Sequence, residues 1–345
     1  MTPLSFDDLD AASCAIESAV DHTPEIDRWC SGPDWVLPVA AGFAPDTDRW
    51  CRRVETPSGS GFALLARYSL EDGRSIVAGL EPLWGFASPL LGAEVEAVCE
   101  AVAAELDADP SWDLLVVTGM PRPSGPEAFT SRVVRSLGRL GQVRVGAGIV
   151  RQVADIGGGY DAWAAGRSPR FRRSLRQAAD RADRAGLRLV DRSDDGDVFD
   201  RLLDIERRSW KGLDESGIAA PQMRETYRRM VERLQRRGRA RIHVAVLDGR
   251  DVGYIMGGVR AGNYRGLQLS YAEEAAGLSI GHLLQHHQLQ RLTADREATR
   301  YDLGMDLDYK RRWADRAEPS FTLVFDRRRP TTGSGPRGFP PRTAH

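Results

Sequence analysis

The order in which strand-like and helix-like spacings alternate between Leu187 and Phe325 restricts the fold of this 345-residue chain more than any other feature. Leu187–Val190 reads as a strand, and Val198–Trp210 and Gln222–Arg237 repeat apolar residues at helical spacing. Ile242–Leu247 and Val252–Val259 are apolar runs joined by Asp248-Gly249, a dipeptide that accepts the positive φ of a tight hairpin turn. Tyr264–Tyr271 supplies a third antiparallel strand, and a loop at Glu273–Gly277 opens a helix over Ser279–Leu292. A strand at Tyr301–Gly304, a short helix at Tyr309–Trp313 and a strand at Phe321–Phe325 complete the series. A chain with this order is α+β, with a mixed central sheet flanked by helices.

The residues before this series are also mixed α and β. An acidic helix is expected over Ser5–Val20, strands over Gly61–Tyr68 and Ser75–Leu80 around an Asp72-Gly73 turn, a helix over Gly92–Leu106 and a strand over Trp112–Thr118. The glycines Gly157, Gly158 and Gly159 mark a boundary, so that domains are expected over residues 1–155 and 156–327. Ser168 and Pro169 then begin a helix that Gly186 ends. One face of it carries Phe171, Leu175, Ala178, Ala179 and Ala182, the other Arg170, Arg173, Arg176, Arg181 and Arg184, a solvated face or a track for a polyanion. Residues 328–345 are rich in Arg, Pro, Gly and Thr and are expected to be a disordered tail.

Charge separates the two parts. Residues 1–155 hold 12 Arg against 23 acids, and residues 156–345 hold 36 basic against 26 acidic side chains, so the second part suits an anionic ligand. Of 48 basic residues only Lys211 and Lys310 are lysine; either a compact ammonium serves there where a planar guanidinium does not fit, or the two are chance survivors of an arginine-biased composition. The four cysteines, Cys14, Cys30, Cys51 and Cys99, form no CxxC pair and fit reduced, packed thiols. No metal motif is present, no run is apolar enough to span a bilayer, and the acidic start does not fit a signal peptide, so a cytoplasmic protein is expected.

Four stretches, SPRFRRSLRQA (168–178), IERRSWKG (205–212), AGLSIGHLLQHH (276–287) and YDLGMDLDYKRRW (301–313), resemble GNAT-superfamily acyltransferases of the cellulose-biosynthesis type, relatives of the Fem-type aminoacyl transferases. GLEPLWGFASPLLG (79–92) resembles the N-terminal domain of such proteins, a degenerate GNAT-like unit, which makes tandem GNAT-like domains the expected fold. The resemblance implies an N-acyltransferase that moves an acyl group from acetyl-CoA or another acyl-CoA to an amine of a small molecule or peptide. The Fem-type alternative draws on aminoacyl-tRNA, and a third alternative is a GNAT-fold binding module without catalysis. By the same resemblance the pyrophosphate of the donor lies on the loop and helix start formed by Gly277, Leu278, Ser279, Ile280 and Gly281, where unpaired amides and the helix dipole favour an anion. Glu274 stands where the family usually has Gln or Arg, so its carboxylate must be turned away from the phosphates.

Amide formation requires a proton acceptor for the amine, donors for the oxyanion and an acid for the leaving group. Glu206 falls among Phe199, Leu202, Leu203 and Trp210, where burial would tune it as a base unless an arginine pairs with it. Tyr271, at the end of its strand, either donates to the departing thiolate or packs. Lys310 resembles a position near the reacting ester and is expected to stabilise the oxyanion. Trp210 and Lys211 are expected at the acceptor, Lys211 through a backbone carbonyl. His287 is expected on the inward face of its helix with Ile280, Leu283 and Leu284, and His286 on the opposite face.

Overall fold

The computed structural model describes residues 1–214 and 216–327, and the expected disordered tail lies outside the described residues. The chain divides into two compact units: residues 1–40, 44–149 and 320 onward, and residues 41–43 with 150–319. Neither unit is a continuous stretch, because the strand that begins near 150 pairs in the second unit and the strand that ends at 326 pairs in the first.

The first unit opens with β1 (Thr2–Leu4), α1 (Phe6–Ala11), α2 (Ser13–His22) and α3 (Pro33–Phe43). The single acidic helix expected over Ser5–Val20 is two helices, the first closed by a capping box in which Ser5 and Asp8 each accept the other's amide. β2 (Asp48–Thr56), β3 (Gly59–Ser69) and β4 (Ser75–Gly79) form an antiparallel meander, with β5 (Leu90–Leu91) added to β3. α4 (Val95–Ala108) then leads to β6 (Leu114–Met120), which lies parallel to β4 through three residue pairs, Ile76–Leu114, Val77–Leu115 and Ala78–Val116. α5 (Phe129–Leu137) and β7 (Gln142–Val145) follow, and residues 321–326 pair with both β6 and β7. After β4 the chain wraps around the buried carboxylate of Glu81, whose oxygens accept the amides of Trp84 (2.6 Å), Gly85 (3.2 Å), Phe86 (2.9 Å) and Ala87 (3.2 Å).

The second unit repeats this plan at larger scale. β8 (Ile149–Asp155) and α6 (Gly159–Ala165) lead to α7 (Pro169–Arg184), capped as its sequence dictates by the Ser168 hydroxyl accepting the Phe171 amide at 3.2 Å. β9 (Arg188–Asp191), α8 (Val198–Arg207), a four-residue α9 (Trp210–Leu213) and α10 (Pro221–Arg236) precede a meander of β10 (Ala240–Leu247), β11 (Arg250–Arg260) and β12 (Asn263–Tyr271). A 3-10 turn over Glu273–Leu278 enters α11 (Ile280–Ala294), and β13 (Arg300–Met305) returns parallel to β12. β14 (Arg316–Asp326) closes the described chain, and the sheet of this unit runs β8-β13-β12-β11-β10-β9. Both units therefore place a meander, a helix and a parallel return strand in the same order, a tandem GNAT-like α+β architecture.

Alternation along the strands sorts side chains between the two faces. On one face Ile255, Leu269 and Tyr271 pack with Ile280 and Leu284 of α11 and Ala182 of α7, while Tyr264, Tyr301 and Leu303 pack with Leu289 and Leu292. The opposite face carries Tyr254, Arg265, Gln268 and Asp302 toward the α8–α10 layer, a polar set within a sheet otherwise sealed by hydrocarbon. The expectation for His286 is corrected here: it is buried and bonded to the Tyr160 hydroxyl at 2.6 Å, while His287 lies toward the sheet, half-buried and edge-on to His243 of β10. Burial and the neighbouring His243 push the His287 imidazole down to about 4, so it is uncharged at neutral pH. The helix is covered on both sides, which a one-face reading of its apolar residues does not anticipate.

Candidate active site

The site begins where two parallel strands part. β12 pairs with β11 along its length, but with β13 only at Asn263–Arg300, Tyr264–Tyr301 and Arg265–Asp302. Past Arg265 the β13 side of β12 is open, and its backbone groups face a wedge rather than a ladder.

At the wide end of the wedge stands the start of α11. The amides of His282 (3.0 Å) and Leu283 (3.2 Å) close on the Ser279 carbonyl, whereas those of Ile280 and Gly281 make no hydrogen bond among the described residues. These two amides lie at the positive end of a 15-residue helix, the ordinary physical basis of an anion site. Ser279 does not cap the helix with its side chain, although a serine ordinarily does so at this position. Its backbone is left-handed (φ 58°, ψ 37°), which turns the hydroxyl to accept from Arg181 Nη2 of α7 at 2.7 Å. A guanidinium is thereby fixed beside the bare amides. Gly277 faces open space, and a methyl on Gly281 would only touch Leu269 and Tyr271 at 3.5 Å, so Gly281 is not required by close packing there.

Glu274 is held away from this point. Its carboxylate accepts from Arg208 Nη1 at 2.5 Å and lies 3.8 Å from Arg250, and these contacts, with the hydrogen bond of its own amide first, hold its carboxyl below the usual range. The one carboxylate that would repel phosphates is already neutralised by two arginines outside the helix start.

The α8–α10 side of the wedge carries the remaining candidates. Glu206 is completely buried; one oxygen accepts the Ile218 amide (3.1 Å) and the other the Tyr254 hydroxyl (3.1 Å). Gly217 makes this fit possible, since its φ is +62° and a methyl there would lie 2.0 Å from the Glu206 oxygen. Lys211 reaches across to β12, donating to the Leu269 carbonyl (2.8 Å) and to Gln268 Oε1 (3.2 Å), while Gln268 donates to the Tyr227 hydroxyl at 3.2 Å. Burial pushes the Lys211 ammonium down, and Glu206 partly restores it.

Lys310 enters from the turn after β13. Its ammonium forms no hydrogen bond or ion pair among the described residues; it lies 5.8 Å from the Tyr309 ring and would be 3.4 Å from a methyl on Gly304. Burial first, then the Arg265 guanidinium and Lys211, against the pull of Asp302 and Asp306, push it down to about 8. The only two lysines of the chain thus flank the wedge, Lys211 bonded to β12 and Lys310 beside Gly304 of β13.

Beneath them lies an ion cluster at the crotch of the wedge. Asp302, 1% exposed, accepts from Arg151 (2.8 Å), Arg265 (2.5 Å) and the Gly304 amide (2.8 Å), with Arg300 at 3.5 Å. Glu318 holds Arg300 at 2.5 Å and stands 3.8 Å from Arg151. These guanidinia keep the Asp302 carboxyl far below the usual range despite its burial.

One expected placement changes. Trp210 does not share the apolar face of α8, because that helix ends at Arg207 and Ser209 caps a new one; Trp210 is 55% exposed. Tyr271 packs with the α11 core, its ring edge 3.5 Å from where a Gly281 methyl would be. Sequence spacing did not identify Arg181 as a partner of the loop, nor Asp302, Arg151, Arg265 and Arg300 as one cluster. Among the described residues, no group of three or more His, Cys, Asp and Glu is placed to hold a metal.

Residues 169–311 match the Acetyltransf_6 family, an acetyltransferase (GNAT) domain. The matched residues span the wedge, the loop before α11 and both lysines. Among solved structures, FemX superposes with a TM-score of 0.60 at 12% identity, covering 93% of this chain and 97% of its own. A protein of unknown function from Bacteroides thetaiotaomicron gives 0.59 at 8% identity, covering 94% and 99%. A tandem GNAT protein from the clavulanic acid biosynthesis pathway gives 0.51 at 18%, covering 96% and 99%. At these identities the likeness is one of fold, and it extends over both units. No curated protein matches the sequence.

Proposed function

We propose that the chain is an acyl-CoA-dependent N-acyltransferase of the cellulose-biosynthesis type, working in the cytoplasm with acetyl-CoA or a longer acyl-CoA as donor. The observation that carries this reading is the parting of β12 from β13 beside a helix start that offers two unpaired amides and the Arg181 guanidinium. The donor's pyrophosphate fits that start, formed by Gly277, Leu278, Ser279, Ile280 and Gly281, and its acyl arm fits the wedge against the free edge of Gly266–Tyr271. The amine of a small molecule or peptide then approaches from the α8–α10 side, past Trp210 and Lys211. Attack on the thioester carbonyl forms the carbon–nitrogen bond and breaks the carbon–sulfur bond. Lys310 is the donor for the oxyanion, and Tyr271 is the acid nearest the departing thiolate. With its oxygens occupied by Ile218 and Tyr254, Glu206 acts as a positioning residue that fixes the 217–218 turn beside Lys211.

Thermal unfolding with acetyl-CoA tests the donor. At a hundredfold excess over its dissociation constant a single-site ligand adds about 2.7 kcal/mol, equivalent to roughly 5–11 °C for a domain of this size. Absence of any shift with acetyl-CoA and with longer acyl-CoAs at millimolar concentration refutes the reading.

The exposed face of α7 favours a second reading, a Fem-type transferase using aminoacyl-tRNA. Arg170, Arg172, Arg173 and Arg176 lie exposed there and form no ion pair among the described residues, as a polyanion track requires. Binding of bulk tRNA that weakens steeply with salt would support it; binding that is absent at low salt rejects it.

A further inference from the structure

In a chain that writes almost every basic position as arginine, the two exceptions stand at the two strands that part, Lys211 bonded to β12 through Leu269 and Gln268 and Lys310 beside Gly304 of β13. Lys211 comes from α9 and Lys310 from the turn after β13, and each follows an exposed aromatic residue, Trp210 at 55% and Tyr309 at 57% exposure. Neighbouring arginines at the same site, Arg265, Arg151 and Arg300, carry permanent charge and are tied to Asp302 and Glu318. What a lysine adds to such a site is the capacity to lose a proton, which a guanidinium lacks at any physiological pH.

The two ammonium groups are not equivalent. Lys211 spends donors on the Leu269 carbonyl and Gln268, and it has Glu206 nearby. Lys310 has no such partner among the described residues. The charges that act on it are those of Arg265 from β12, Lys211 from α9, Asp302 from β13 and Asp306 just after it, and the Tyr309 ring lies 5.8 Å away. The cations are nearest in effect: burial, Arg265 and Lys211 all disfavour its charge, and the two carboxylates only partly oppose them.

We propose that Lys310 is the group that takes the proton of the acceptor amine, and that Lys211 is a positioning residue whose charge keeps that nitrogen ready to receive it. The proposal rests on the acyltransferase reading for its donor, a thioester. The uncharged Lys310 nitrogen removes a proton from the attacking amine as the new carbon–nitrogen bond forms. The resulting ammonium is then in place beside the tetrahedral oxyanion, so one side chain serves the two needs in sequence. When the carbon–sulfur bond breaks, the Tyr271 hydroxyl gives its proton to the thiolate and is reprotonated from Lys310, leaving free thiol, amide and neutral Lys310. An acceptor arriving as an ammonium ion loses one further proton to solvent. The same paired-cation device lowers lysine basicity wherever two ammonium groups share a desolvated pocket.

The composition makes the test direct, because the protein labelled with 13C at lysine Cε gives only two lysine resonances. One should titrate near pH 8 and be assigned to Lys310 by its loss in Lys310→Arg. Replacing Lys211 by Met should move that midpoint upward. Lys310→Arg keeps the charge but cannot release the proton, so it should bind acetyl-CoA unchanged while amide formation drops by about 10²- to 10⁴-fold, the usual weight of proton transfer. Two resonances titrating above pH 10 in the unsubstituted protein overturn the proposal, and this measurement requires no variant to fold. A normal lysine titration with intact acetyl-CoA binding sinks only the proton-transfer role; a depressed titration without acetyl-CoA binding sinks only the choice of donor.

Discussion

Replacing Asp302 by Asn removes a buried negative charge that answers three guanidinia. In the native protein the carboxylate, 1% exposed, accepts from Arg151 and Arg265 at 2.8 and 2.5 Å and has Arg300 at 3.5 Å. An amide keeps one acceptor oxygen, turns an N–H₂ group toward cations and leaves their charge uncompensated. Breaking a buried pair from one side costs about 3–5 kcal/mol. For a unit of this size that is a fall in the unfolding midpoint of roughly 6–20 °C. Urea unfolding followed by tryptophan fluorescence measures it, with Trp163 and Trp313 reporting on the packed core of this unit. The pH dependence gives an independent check. The folded state holds the Asp302 carboxyl below its unfolded value, so its contribution is complete above about pH 4, where the unfolded carboxyl is ionised. It is lost progressively as pH falls below that point toward the folded value. The Asn variant should therefore show a flatter acid limb than the native protein. A loss under 1 kcal/mol with an unchanged acid limb would show that the cluster is hydrated and that its charges are not coupled.

Two further outcomes follow from the geometry. Arg181→Ala removes the guanidinium beside the bare amides and should weaken acetyl-CoA binding about 10- to 100-fold by calorimetry, the range of a charge-assisted hydrogen bond, and unchanged affinity removes Arg181 from the donor site. Glu81→Gln in the first unit leaves two amides facing an N–H₂ group and should cost about 1–3 kcal/mol in urea unfolding; a change within error would show that the 84–87 turn holds itself.

The elements with local signals were legible in the sequence. Ser168 and Pro169 fix the start of α7 through a cap and a preset φ, and Asp248-Gly249 fixes the β10–β11 turn, with Asp248 itself at φ 50°. The apolar runs of β10 to β12 needed no tertiary information. Trp210 was misplaced because apolar spacing continues past Arg208 although Ser209 starts a new helix, and a hydroxyl within a periodic run does not announce itself as a break. The Asp302 cluster draws its residues from β8, β12, β13 and β14, so only the sheet brings them together. Composition singled out both lysines, yet nothing in a linear reading says that they flank one wedge. The left-handed backbone at Ser279, and with it the contact to Arg181, is likewise invisible in a residue type that ordinarily caps helices through its side chain.

The pairing of residues 321–326 between β6 and β7 bears on how the protein is made. During translation the first unit emerges early, but its sheet is short of an interior strand until everything that forms the second unit has been synthesised. For that interval β6 presents bare backbone along Leu114–Met120, an invitation to mispairing in a nascent chain. A premature stop after Pro319 would spare every residue assigned to the second unit and yet leave the first unable to close. Damage at the far end of the message is thus felt in the part of the protein that was made first.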